Sequence, residues 1–139
     1  MTKNYTFSML KPDVLQDRQV GRIIAQIEEN GFEIKALKLT QLTLEDAETF
    51  YAIHQERPFY KELCKYMASG PIVAMVLAKL NAVADFRTLI GITNPTEAAP
   101  GTIRKQFGKS IDANAIHGSD SDETAATEIE LLFPGWKSD

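Results

Sequence analysis

The groups best suited to covalent chemistry lie in one short run, Asn114-Ala115-Ile116-His117-Gly118-Ser119-Asp120-Ser121. An imidazole sits between two apolar residues and a glycine, and a hydroxyl and a carboxylate follow it. Ala115-Ile116 reads as the end of a short strand. Gly118 is expected to let the backbone turn sharply and to leave space in front of the ring. Asp120, with Glu123 three residues on, has the form of a capping box that opens a helix carrying Glu128. Neutral imidazole is nucleophilic near pH 7 and can be covalently modified. A lone histidine after two apolar residues is more often a structural side chain with both nitrogens satisfied, so other parts of the chain must decide.

Those parts point to phosphate. Lys11-Pro12 puts an ammonium at a strand end, where proline fixes the backbone. Arg87 lies on a helix just before a long loop, and Thr93 and Arg104 lie within it. Fixed cations and donors suit phosphoryl groups, whose charge is spread over several oxygens. Each alone reads as an ordinary surface group; what counts is their shared placement at element ends and in one loop. Two rivals fail on spacing. Gly108-Lys109-Ser110 looks like the end of a P-loop, but Ile103 stands where the first glycine is needed, so Lys109 and Ser110 read as loop surface. His54 and His117 are far apart, without the short ligand spacing of a zinc site, and His54 reads as solvated or locally bonded.

The elements that must position these groups follow from hydrophobic periodicity. Residues 5–10 read as a strand ended by Lys11-Pro12-Asp13, and residues 20–30 as a helix stopped by Gly31. Residues 32–42 suit a second strand. Thr43 opens a helix through Phe50 and Tyr51, and Pro58 is expected in the first turn of another reaching about Met67. The nearly continuous apolar run 72–78 suits a strand buried on both faces. Asn81 can cap a helix to about Leu89. Residues 91–114 form a long irregular loop with one helical piece near 103–107, and a helix runs from Ser121 to about Phe133. Without the extra helices the order is βαββαβ, an α+β, ferredoxin-like arrangement: one four-stranded antiparallel sheet with helices on one face.

Composition bounds the function. The 139 residues are the size of one ordinary domain, 1–139, with 44% hydrophobic and 24% charged residues. A net charge of −4 argues against a general nucleic-acid surface. Cys64 is the lone cysteine and excludes an internal disulfide framework. No apolar run is long enough to span a bilayer, and Met1-Thr2-Lys3-Asn4 leads straight into a strand, so a cytoplasmic protein is expected.

Taken together, Asn114-x-x-His117-Gly118-Ser119-Asp120-Ser121, Thr93-Asn94-Pro95, Pro100-Gly101-Thr102-Ile103-Arg104, Ser69-Gly70-Pro71 and Lys11-Pro12-Asp13 make the chain resemble the nucleoside diphosphate kinases from end to end. The resemblance implies the ferredoxin-like fold and a ping-pong reaction. A nucleoside triphosphate would give its γ-phosphate to His117, and a nucleoside diphosphate would take it. By position, Lys11, Tyr51, Arg87, Thr93, Arg104 and Asn114 match residues that contact the nucleotide or the transferred phosphoryl. Phe59 matches the aromatic on which the base stacks, which fits broad base use. Ser119 and Glu128 match the pair that orients the imidazole. Mg2+ would come with the nucleotide, held by its phosphates and by no protein ligand. A homo-oligomer is implied, a dimer built into a tetramer or hexamer, and the edge strand and first long helix are the expected contacts. Val14 and Lys105-Gln106 depart from the common family pattern outside the matched contact positions and are expected to tune loop packing. Two rivals, a non-catalytic scaffold and a sheet-face RNA-binding module, are opposed by the conjunction of His117, Lys11, Arg104 and Asn114 and by the lack of aromatic-rich strands.

Overall fold

The computed structural model describes residues 4–137; Met1, Thr2, Lys3, Ser138 and Asp139, and the readings that touch them, lie outside the described residues. Strand β1 (Asn4–Leu10) ends at Lys11-Pro12, as expected for a residue that cannot donate to a ladder. The same proline opens a short helix, α1 (Pro12–Gln16), where periodicity showed only a strand end. Proline at the first helical position loses no hydrogen bond and supplies a helical φ.

Helix α2 (Val20–Glu29) buries Ile23 and Ile27, and Gly31 turns the chain at φ +90°. Strand β2 (Glu33–Thr40) is shorter than the 32–42 expected. Phe32 and Leu42 flank it as buried core residues outside the ladder. Helix α3 (Leu44–Phe50) starts at a capping box in which Thr43 and Asp46 bond reciprocally, and a 3-10 turn follows at Ala52–His54. Helix α4 (Tyr60–Met67) begins two residues after Pro58, so Pro58 lies outside its first turn. Strand β3 (Ile72–Lys79) is followed by α5 (Ala82–Ile90). Asn81 precedes α5 in a left-handed conformation and caps no backbone amide; its side chain donates to Asp85 at 3.4 Å. Helix α6 (Ile103–Phe107) coincides with the helical piece expected in the loop and is capped by Thr102. Strand β4 (Ile116–Gly118) and α7 (Asp122–Leu132) complete the order.

The sheet runs β2-β3-β1-β4 with every neighbouring pair antiparallel, so the βαββαβ frame is present. The expectation of helices on one face is corrected: both faces are covered. Alternate residues of β3 separate into two cores, as period-two side chains must. Val73, Met75 and Leu77 pack with α2 and α5 through Ile23, Ile27, Phe86 and Ile90. Ile72, Ala74 and Val76 pack with α3, α4 and α7 through Phe50, Leu63, Met67 and Ile129. The helices added to the basic frame, α3, α4 and α7, cover the second face. This explains why β3 carries no polar alternation.

Candidate active site

His117 is placed by register. It pairs with Met9 across β1 and β4, so its ring lies on the face covered by α3, α4 and α7. Three rings wall it there, with centroids at 5.2 Å for Phe50, 6.1 Å for Phe7 and 6.5 Å for Tyr51. Nε2 lies 3.0 Å from Glu128 Oε1 on α7. Ser119 Oγ is 2.7 Å from the same oxygen and 3.3 Å from the Phe7 carbonyl, while the Phe7 N–H donates to Oγ at 3.2 Å. A hydroxyl has one proton, and the shorter, charge-assisted bond to the carboxylate takes it. A carboxylate only accepts, so the Nε2 bond requires the ring proton on Nε2 and leaves the lone pair on Nδ1. Among the described residues Nδ1 has no protein hydrogen bond.

The backbone entering β4 is strained. Ala115 has φ +80°, a region that costs a non-glycine residue about 1–3 kcal/mol. Three anchors hold it: the Lys11 N–H donates to the Ala115 carbonyl at 2.9 Å, Arg104 Nη2 donates to the Ile116 carbonyl at 2.8 Å, and Asn114 Nδ2 donates to the Thr93 carbonyl at 3.1 Å. Lys11, Thr93, Arg104, Asn114 and His117, scattered in sequence, therefore meet at one strand end. Gly118 has a different role from the turn expected of it. It lies within β4, and a Cβ there would stand 2.9 Å from Ile90 Cδ1 and 3.0 Å from Phe86 Cδ2, so close approach of α5 requires the glycine. The capping box is also corrected. Ser121 and Thr124 cap α7, because Asp120 turns away to form an ion pair with Arg87.

Of the cations at the strand end, Lys11 is buried and Arg104 half-buried. Lys11 is 6% exposed, and among the described residues its Nζ reaches only the Asp112 carbonyl, at 3.4 Å. Burial, then the neighbouring Arg104 charge, push the Lys11 ammonium down to about 8, against the opposing pull of Asp13 and Asp112. Arg104 also donates through Nη1 to the Gly91 carbonyl at 2.8 Å. Burial and then Arg87 lower it to about 10, so it is charged at neutral pH. Burial first, then Glu128, push the Tyr51 phenol upward, so Tyr51 stays a neutral donor. Tyr51 Oη, Arg104 Nε and Asn114 Oδ1 are buried without a protein partner among the described residues. Each such group is costly unless something bonds to it, about 1–3 kcal/mol. Two of them, Tyr51 Oη and Arg104 Nε, are donors that with the Lys11 ammonium suit an anionic, oxygen-rich ligand, whereas Asn114 Oδ1 is an acceptor that needs a donor such as a ligand hydroxyl.

Phe59 stands apart from this cluster, 44% exposed, with its ring tilted against His54 at 5.7 Å. Thr93 is exposed, and only its carbonyl is engaged. Lys109, the P-loop look-alike, pairs on the surface with Asp17 at 2.8 Å. Of the departures, Val14 is buried in the core beside Leu10, and Gln106 donates to the Gly101 carbonyl at 2.8 Å and to Gln26 Oε1 at 3.1 Å. Val14 thus packs α1 onto the core, and Gln106 ties the loop to α2. Phe7 and Phe50 were not singled out from the sequence. Phe7 could have been, since it shares a strand face with Met9; Phe50 carries no such signal, because only packing of α3 brings it to the histidine.

Residues 4–137 match the family model described as nucleoside diphosphate kinase. The chain is 57% identical over 135 residues to a nucleoside diphosphate kinase of Flavobacterium psychrophilum, covering 97% of each chain. It is 55% identical over 128 residues to one of Chlamydia abortus, covering 92% of this chain and 91% of that one. Among solved structures it is similar to the Aquifex aeolicus nucleoside diphosphate kinase, with a TM-score of 0.94 at 44% identity over 96% of this chain and 97% of that chain. It is also similar to the Halobacterium salinarum nucleoside diphosphate kinase in complex with CDP, with a TM-score of 0.92 at 35% identity over 99% of this chain and 95% of that chain. The chain belongs to the nucleoside diphosphate kinase family, phosphotransferases that move the γ-phosphate of a nucleoside triphosphate onto a nucleoside diphosphate.

Proposed function

We propose that His117 is the nucleophile of a ping-pong exchange and that Nδ1 is its reacting atom. One observation carries this reading: the Nε2–Glu128 bond commits one ring nitrogen as a donor and leaves the other with its lone pair. In the first half-reaction the Nδ1 lone pair forms the N–P bond as the bond from the γ-phosphorus to its bridging oxygen breaks, and the diphosphate leaves with both electrons. The second half-reaction runs the same step backward onto a new diphosphate. Imidazole needs no base to prepare it, which spares the proton removal that a hydroxyl nucleophile requires. Positive charge gained by the ring is stabilised by Glu128, and Ser119 holds that carboxylate in place.

Lys11 and Arg104 are read as partners of the phosphoryl oxygens, with Tyr51 as a neutral donor beside them, Asn114 Oδ1 as an acceptor for a nucleotide hydroxyl, and Arg87 and Thr93 further along the nucleotide. Arg87 must exchange Asp120 for phosphate when the nucleotide binds. Phe59 offers an exposed ring face to the base, and stacking of this kind tolerates purines and pyrimidines alike. The CDP bound to the Halobacterium relative supports a site for a nucleoside diphosphate. The donors present fit phosphate better than metal: among the described residues no group of three His, Cys, Asp or Glu could hold an ion. Mg2+ is proposed to arrive with the nucleotide, whose phosphates would hold it and whose charge it would offset.

A homo-oligomer is proposed through the β2 edge and α2, supported by β2 lying at the sheet margin with Leu39 67% exposed. Residues 1–139 are read as one domain in a cytoplasmic protein; among the described residues no helix is long and apolar enough to cross a membrane. The test of the nucleophile is labelling with γ-labelled triphosphate. An acid-labile, alkali-stable adduct is expected in the wild type, and persistence of that adduct in His117→Ala would overturn the assignment. Sedimentation measures the assembly: a mass near the 15.5 kDa of one chain at micromolar concentration excludes the oligomer, and a mass of four or six chains chooses between tetramer and hexamer.

A further inference from the structure

We infer that Asp13, held in place by Tyr66, is a positioning residue that acts as the counter-charge of Lys11 and keeps its ammonium available to phosphate. This inference rests on the reading of Lys11 as a phosphate partner. Two sequence motifs with no evident connection, Lys11-Pro12-Asp13 and Ser69-Gly70-Pro71, meet in the fold. Ser69 Oγ donates to the Tyr66 carbonyl at 2.6 Å and closes the end of α4. A Cβ on Gly70 would lie 3.7 Å from Pro12 Cβ, so the turn after α4 is seated on the corner after Lys11. At that corner the Asp13 N–H donates to Tyr66 Oη at 3.0 Å, and Tyr66 Oη donates back to Asp13 Oδ1 at 2.5 Å. The reciprocal pair fixes both the main chain and the carboxylate two residues from Lys11.

The carboxylate is an expensive group to hold there. Asp13 is 3% exposed, and its Oδ2 has no protein partner among the described residues. A capping role does not explain it, since its side chain bonds to Tyr66 and the cap position of α1 carries no side-chain bond. A buried carboxylate is tolerated when charge of opposite sign faces it. The charged groups around Lys11 are Arg104 from α6, Asp112 from the loop before β4 and Asp13 from α1; only the two carboxylates oppose the deprotonating pressure of burial and of Arg104. Tyr66 from α4 bonds to Asp13, and the charges of Lys11, Lys109 and Asp17 act on the same corner at longer range. Asp13 is the deeply buried member of the two carboxylates that support Lys11, and the one held by a dedicated partner.

The sign of the effect is fixed by electrostatics. Removing a nearby negative charge favours the neutral amine, so the Lys11 titration must move to lower pH. The pH profile of kcat/KM reports groups of the free enzyme, and titration of the substrate phosphates is common to all variants. The wild type is expected to lose activity as pH rises through about 8, the value for Lys11. Lys11→Arg should remove that limb and so assign it. Asp13→Asn, checked for folding by circular dichroism, should move the limb down by about one pH unit. That means about fivefold lower kcat/KM at pH 8 and little change at pH 6, as a one-unit shift dictates. Tyr66→Phe, which keeps the ring, should move it the same way by less. A limb that stays in place in either folded variant, or a loss equal at every pH, overturns the inference; if Asp13→Asn does not fold, Tyr66→Phe decides alone. Full activity in Lys11→Ala would remove the underlying role of Lys11, an outcome distinct from an unmoved limb in an enzyme that depends on Lys11.

Discussion

The two sides of His117 are built on opposite principles. On the side of α7 the polar groups form a chain: Nε2 meets Glu128, Glu128 meets Ser119, and Ser119 meets the Phe7 main chain. At the end where Lys11, Arg104, Asn114 and Tyr51 lie, Lys11 is buried, Arg104 is half-buried, and several polar atoms lack protein partners among the described residues. The first arrangement suits a part that must not move. The second costs stability by itself and fits the proposed binding of a ligand that supplies acceptors for Tyr51 and Arg104, a donor for Asn114 Oδ1, and negative charge. His117 is oriented by packing against rings and by one carboxylate; in the proposed reaction its reactivity toward phosphate depends on the unsatisfied side.

The comparison can be broken at its centre. His117→Ala removes the group both sides serve, and we expect kcat to fall by about four to six powers of ten with the fold retained, measured by coupled assay and circular dichroism. On the unsatisfied side, Lys11→Ala or Arg104→Ala should lower the rate of phosphoenzyme formation by about two to three powers of ten. Wild-type rates in both would make them ordinary charges. On the matched side, Glu128→Gln preserves shape but lets the imidazole adopt either tautomer, and a loss of about tenfold to a hundredfold is expected, as for other partners that orient a histidine. If Glu128→Gln proved as severe as Lys11→Ala, the matched side would be chemical and not merely orienting. The mildest change lies outside both sides. Phe59→Ala should raise KM by about tenfold for purine and pyrimidine nucleotides alike, with kcat nearly unchanged. A loss confined to one base would reveal edge recognition in place of stacking.

Much of the frame was legible because it depends on period and punctuation. The apolar run of β3, the spacing of Ile23 and Ile27 in α2 and the capping residues Thr43 and Thr102 act through neighbours in sequence. Periodicity missed α1, which spans five residues and follows a proline that reads equally as a stop. It misjudged the covering of the sheet, since one run of apolar residues does not tell how many helices lie on each side. It also assigned the cap of α7 to Asp120, because sequence spacing does not register that Arg87, 33 residues away, competes for that carboxylate.

By itself, then, the sequence determined the chemical inventory: one imidazole in a specific octapeptide, scattered cations, an aromatic after Pro58, and a βαββαβ order to carry them. These follow from residue type and local spacing, which folding does not alter. Tertiary structure alone decided which ring nitrogen is occupied, which cations are buried and which are surface pairs, why Gly118 must lack a side chain, and that Tyr66 reaches Asp13. Each of these depends on distances between segments far apart in the chain. Such distances are set by the pairing of β4 with β1 and by the packing of helices on both faces of the sheet.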